Sequence, residues 1–122
     1  MGSVLPKKLD PVIAEQISQD AVVIYSETDC GYADLARKML HRKGISYISY
    51  DLDKMPYKEH MVEALEQFTG KKTSPHIFIC DHHIGGYEAL RALNEKGHLF
   101  EMVEKCASKR EENLNKIAKR IL

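Results

Sequence analysis

Ala21-Val22-Val23-Ile24-Tyr25-Ser26-Glu27-Thr28-Asp29-Cys30-Gly31-Tyr32 is the stretch on which the fold turns. It begins with a continuous β-branched run, Ala21 to Tyr25, the pattern of a strand buried on both faces. A polar turn follows, Ser26 to Asp29, and apolar residues then return with helical spacing at Tyr32, Leu35, Ala36, Met39 and Leu40. Gly44 ends that helix behind Arg42 and Lys43, whose charges suit the negative end of a helix dipole. Ile45-Ser46-Tyr47-Ile48-Ser49-Tyr50 supplies a second strand. A strand–helix–strand unit of this kind pairs its strands in parallel through a right-handed crossover.

Upstream, Asp10 and Pro11 read as the N-cap and first residue of a short helix with Val12, Ile13 and Ile17 on its apolar face. Downstream, Asp51 to Pro56 is a turn, and a helix runs from Tyr57 to Phe68 with Met61, Val62, Leu65 and Phe68 inward, stopped by Gly70. Pro75 to Cys80 is then a short strand, Asp81-His82-His83 a tight turn, and Ile84 opens a return strand ended by Gly85-Gly86. So short a turn makes the two strands antiparallel neighbours. Tyr87 to Lys96 and Leu99 to Cys106 read as two closing helices separated by Gly97. The order predicts an α/β architecture of thioredoxin type, a mixed sheet of about four strands flanked by helices.

The chain has 122 residues, enough for one core, and we assign residues 1–106 to one domain. Residues 107–122 read as a charged C-terminal helical extension with Leu114, Ile117 and Ala118 on one side. Lys plus Arg and Asp plus Glu each number 18, so there is no net charge to favour nucleic acid or an anionic membrane as partner. Charges of both signs alternate in the extension, as on a solvated face. No apolar run approaches a membrane span, and Met1 to Lys8 has no apolar core of the kind a secretory signal carries. Three cysteines suit a reducing compartment rather than a disulfide scaffold, and the expectation is a cytoplasmic protein.

Cys30 falls where the buried strand gives way to a helix. Unpaired backbone N–H groups at such a corner favour an anion, and only the thiolate is a nucleophile. Thiol chemistry is therefore expected at Cys30.

Tyr25 to Ala33 resembles the active-site segment of the glutaredoxin family, Y-S-K-x-x-C-x-Y-C or the same ending in serine. Lys71-Lys72-Thr73-Ser74-Pro75-His76-Ile77-Phe78-Ile79 resembles that family's K-T-V-P-x-I-F-I, Ile84 to Glu88 its I-G-G-x-D, and Leu93 to Leu99 its L-x-x-x-G-x-L ending. The resemblance covers residues 12 to 106, with the motifs in order and in register. It implies a glutathione-dependent thiol–disulfide oxidoreductase with Cys30 as nucleophile. It also implies a cis Pro75 facing the thiol, Ser74 pairing its backbone with glutathione, Thr73 beside it and Lys72 reaching a glutathione carboxylate. Gly85 and Gly86 would let the backbone approach the ligand, Glu88 would take its α-amino group, Tyr87 would belong to the same ligand-binding set, and Tyr32 would flank the thiol, with packing on the helix face as its alternative role.

Three departures from the family pattern bear on chemistry. Ala33 stands where the second cysteine would be, so no disulfide can close within the motif and a one-thiol route is expected. Glu27 replaces a lysine that supports the thiolate and a glutathione carboxylate, which predicts weaker glutathione binding. Gly31 replaces the proline of the commonest dithiol motif. Members with glycine there often hold a [2Fe-2S] cluster between two subunits, so the alternative function is a cluster carrier with Cys30 as metal ligand, monomeric when empty and dimeric when loaded. The implied protein partners are glutathionylated or disulfide-containing proteins.

Other chemistry-bearing residues read as structural. Cys80 is expected to pack in or beside the core. Cys106 is either buried packing or a regulatory or substitute resolving thiol, including one acting between chains. Cys80-Asp81-His82-His83 lacks a second ligand cluster at metal-site spacing, and His76 is placed near the site without a role. A thioredoxin proper fits poorly, because the chain has no Trp and no second motif cysteine.

Overall fold

Val22–Ser26 forms β1, and all of its residues are buried, as its apolar run requires. This computed structural model describes residues 9–72 and 74–121. β1 lies inside a sheet of order β2-β1-β3-β4, with β2 at Ile48–Asp51, β3 at His76–Ile79 and β4 at His82–Gly85. β1 and β2 are parallel, while β1 and β3, and β3 and β4, are antiparallel. The helices are α1 (Pro11–Ile17), α2 (Gly31–Arg42), α3 (Lys58–Thr69), α4 (Tyr87–Glu95) and α5 (Leu99–Ile121). This is the thioredoxin-type mixed sheet that the element order predicts.

Side chains alternate across the sheet, and each face has its own core. Val22, Ile24, Ile77 and Ile79 meet Ala36 and Leu40 of α2, Leu90 of α4 and Leu99 of α5. Val23, Tyr25 and Phe78 meet Ile13 and Ile17 of α1 and Met61 and Leu65 of α3. Each large side chain so buried contributes about 2 kcal/mol, which is why both faces must be covered. The Tyr25 hydroxyl donates to Gln16 Oε1 at 2.7 Å, and burial drives its pKa well above the ordinary tyrosine value. Asp10 caps α1, accepting from the backbone N–H of Val12 at 2.9 Å.

Several boundaries differ from the sequence expectation for local reasons. β2 starts at Ile48 rather than Ile45, because Gly44 turns left-handed (φ +68°) and the Ile45 N–H donates to Leu40 O at 2.9 Å, closing α2. The β3–β4 turn is Cys80-Asp81, both at positive φ (+50° and +68°), as a two-residue hairpin loop demands; His82 and His83 belong to β4 instead. The helix beginning at Leu99 continues unbroken through the predicted extension to Ile121. Among the described residues, no helix is long and apolar enough to cross a membrane.

The largest correction concerns the cysteines. Cys80 and Cys106 are joined by a disulfide, with Cα atoms 5.4 Å apart, and are not two separately packed thiols. The sequence places them 26 residues apart in different elements, and only docking of α5 across the end of β3 brings them together. The pair lies at the far end of the sheet from Cys30, where the Cys80 N–H donates to Ala21 O at 2.8 Å. Cys106 is therefore no resolving partner for Cys30 within this chain.

Candidate active site

Cys30 is the N-cap of α2 in extended conformation (φ −82°, ψ 106°), half-buried and free. Asp29 before it is left-handed (φ +63°), the kink that turns the chain from β1 into the helix. The Cys30 side chain takes no capping hydrogen bond, so the first-turn amides remain available to an anion there. Ala33, three residues on, is completely buried.

Polar contacts hold the loop before the thiol. The Thr28 N–H donates to Asp53 Oδ2 at 2.6 Å, and the Thr28 hydroxyl to Asp51 Oδ2 at 2.8 Å. Lys58 Nζ donates to the other Asp53 oxygen at 2.6 Å. That hydrogen bond, with the one from Thr28, holds the Asp53 carboxyl down at about 2. On the opposite side the Glu27 N–H donates to Ser74 Oγ at 3.2 Å, tying the thiol loop to the segment that carries Pro75. The Ser74–Pro75 peptide is cis.

A groove of about 320 Å³ opens beside this junction. Tyr32, Ser74, Pro75, Gly85, Gly86, Tyr87 and Glu88 wall it, so the fold brings together most of the residues singled out in the sequence. The rings of Tyr32 and Tyr87 stack with centroids 6.3 Å apart. Gly85 has φ +121°, and a Cβ there would stand 3.1 Å from Ala89 Cβ, so this position needs glycine. Gly86 is the N-cap of α4, so the start of that helix stands on the groove wall, while Glu88 is exposed in its first turn.

Cys30 itself does not wall the groove, which begins at Tyr32. Lys72 lies outside it, exposed and 3.9 Å from Glu66 Oε1, and the neighbouring Lys71 lines it instead. Thr73 lies outside the described residues. Glu27 is exposed.

Two histidines line the groove: His76, which the sequence already places near the site, and His83, which the sequence assigns to the turn. His76 is 4% exposed, and burial, with His83 nearby, pushes it down to about 4, so it is neutral near pH 7. His83 packs its ring against Phe78 and His76, and burial lowers its pKa as well. Its Nε2 is buried and has no hydrogen-bond partner among the described residues. The available signal was pairing register: with the turn at Cys80-Asp81, His83 falls opposite Phe78.

A thiol at the N-cap of the helix after β1, joined through Glu27 and Ser74 to a cis-proline segment, defines a thioredoxin-superfamily protein. The narrower family follows from comparison. The glutaredoxin family model matches residues 22–84. The chain is 35% identical over 100 residues to glutaredoxin-2, mitochondrial, of Mus musculus, covering 82% of this chain and 64% of that protein. It is 32% identical over 94 residues to a glutaredoxin of Ricinus communis, covering 77% of this chain and 92% of that one. The structure superposes on that of a buckwheat glutaredoxin–glutathione complex with a TM-score of 0.76 at 29% identity, covering 79% of this chain and 87% of the other. The chain belongs to the glutaredoxin family. It spans between 60% and 66% of the length of the mammalian mitochondrial glutaredoxin-2 proteins it matches.

Proposed function

We propose that this chain is a glutathione-dependent thiol–disulfide oxidoreductase working by a one-thiol route. The observation that carries the reading is Cys30: the one free cysteine among the described residues, at a helix N-cap beside a groove formed by the cis-proline segment and the glycine pair. The Cys30 thiolate attacks the glutathione sulfur of a mixed disulfide, the old S–S bond breaks, and the substrate leaves as a thiolate that takes a proton from water. Glutathione, now joined to Cys30, lies in the groove, its backbone paired with Ser74 and a carboxylate at the α4 N-terminus. A second glutathione thiolate attacks that sulfur, releasing glutathione disulfide and restoring Cys30. The buried methyl of Ala33 offers no competing thiol.

The substrates are glutathionylated or disulfide-containing proteins, acted on by a monomer in a reducing compartment, with the cytoplasm as the sequence-based assignment. Turnover of a glutathionylated peptide by the intact protein and by Cys30→Ser tests the reading. Activity abolished by the substitution supports it, and activity that persists overturns it.

A second reading rests on Gly31, which is exposed with nothing within 4 Å of where a Cβ would stand. That leaves Cys30 open to another chain, as a glutathione-ligated [2Fe-2S] carrier requires. In this reading one chain would supply the Cys30 thiolate; among the described residues no group of three or more His, Cys, Asp or Glu is arranged for a metal. Visible absorbance with a dimeric mass after anaerobic purification supports this reading, and a colourless monomer under those conditions counts against it.

A further inference from the structure

The two residues of the Cys80–Cys106 disulfide are unequally exposed. Cys106 is 2% exposed, on the buried face of α5, whereas Cys80 is half-buried at a corner of the hairpin turn. A groove of about 620 Å³ between α5 and the turn opens onto the pair, walled among others by His82, Met102, Lys105 and Lys109. Strand pairing sets this groove at the opposite pole from the catalytic corner: β1 runs from Val22, opposite Ile79, to Tyr25, opposite His76.

The bond also falls at a decisive point along α5. Up to Cys106 the helix is held by Leu99, Met102 and Val103 against the core. Beyond it, the Arg110 guanidinium donates to Asp20 O at 2.7 Å. Leu114, Ile117 and Ile121 past that contact are exposed. The covalent link thus precedes about four turns of helix, residues 107–121, in which the Arg110 contact is followed by exposed apolar side chains.

We propose that Cys80–Cys106 is a second, reversible thiol–disulfide site, entered through Cys80 by a small thiol of the glutathione class, and that its state sets how firmly the end of α5 is held. The incoming thiolate attacks Sγ of Cys80, the more exposed residue of the pair. The Cys80–Cys106 bond breaks, and Cys106 leaves as a thiolate that takes a proton from water. A second small thiolate attacks the mixed disulfide at Cys80, freeing that thiol and forming the small disulfide. Two electrons pass from the two small thiols to the protein disulfide, and the small disulfide reverses the sequence.

The test uses protein carrying Cys30→Ser, so that catalytic-corner chemistry plays no part and failure of the proposed function leaves the result readable. The protein is equilibrated across glutathione to glutathione-disulfide ratios, quenched in acid and alkylated with a mass tag. Two tags should appear together, on Cys80 and Cys106, as the ratio becomes reducing. Amides of residues 107–121 should then exchange about tenfold faster than in the oxidised protein. In the same background, Cys106→Ser should take up glutathione at Cys80 from glutathione disulfide, while Cys80→Ser leaves Cys106 unmodified. With alkylation carried out in denaturant after the quench, tags that appear only when the protein was already denatured during the glutathione equilibration, tags present at every ratio, equal modification of both single variants, or unchanged tail exchange would each overturn the proposal.

Discussion

The backbone N–H of Glu27 donates a hydrogen bond to Ser74 Oγ at 3.2 Å, joining residues 47 positions apart. It is a direct polar link between the loop that presents Cys30 and the segment that presents Pro75. Ser74→Ala removes the link and leaves that amide to solvent. We expect a stability loss of about 1 kcal/mol and a fall of about fivefold in kcat/KM for glutathionylated peptide. Unfolding midpoints and steady-state kinetics check both.

Glu27 itself is exposed, in the loop that presents Cys30. Glu27→Lys reverses the sign of that charge. The expected result is a rise of about fivefold in kcat/KM for glutathione, because an opposite charge favours the bound anion, and most of the gain should vanish in high salt. A gain unaffected by ionic strength would assign the change to something other than charge.

Cys30 and Ala33 occupy the N-cap and third helical positions of α2, whose side chains lie close enough in other helices to form a capping box. Ala33→Cys therefore places a thiol within reach of Cys30. We expect an internal disulfide under mild oxidation, read by mass, and new turnover of a protein disulfide with a reductant other than glutathione. Adding a sulfur at a completely buried position should cost about 1 kcal/mol of stability through overpacking.

His76 supplies a pH dependence. Burial lowers its folded pKa from 6.5 to about 4, so between those values the unfolded chain binds more protons than the folded one. Stability from this group is fully present above pH 6.5 and is lost as pH falls toward 4, a change of roughly 3 kcal/mol. Denaturation midpoints between pH 7 and 4 should show the decline, and His76→Gln should flatten it. Equal slopes in both proteins would assign the decline to other groups, the lowered His83 first.

The fold was legible in the sequence where one face of a local element had one environment. The unbroken run at β1 had to be buried on both sides, and Asp10-Pro11 and Gly44 punctuate their helices by backbone preferences that need no distant partner. The hairpin was legible as a hairpin but its turn was misplaced, because Cys80 and Asp81 adopt positive φ without the usual Asn-Gly signal. The helix at Leu99 and the charged helical extension of residues 107–122 are each legible from their spacing, and the structure joins them as one helix to Ile121.

The sequence by itself determined the class of this protein: the α/β order, the thiol at the first strand-to-helix corner, and the absence of a second thiol at Ala33. These are facts of residue type and short spacing, which local backbone physics converts directly into structure. Only the tertiary structure decided which partners meet. It put Lys71 rather than Lys72 on the groove wall, turned His83 toward His76, and bonded Cys80 to Cys106. Each depends on strand register or helix docking between residues far apart in the chain, and neither is specified by any neighbour in sequence.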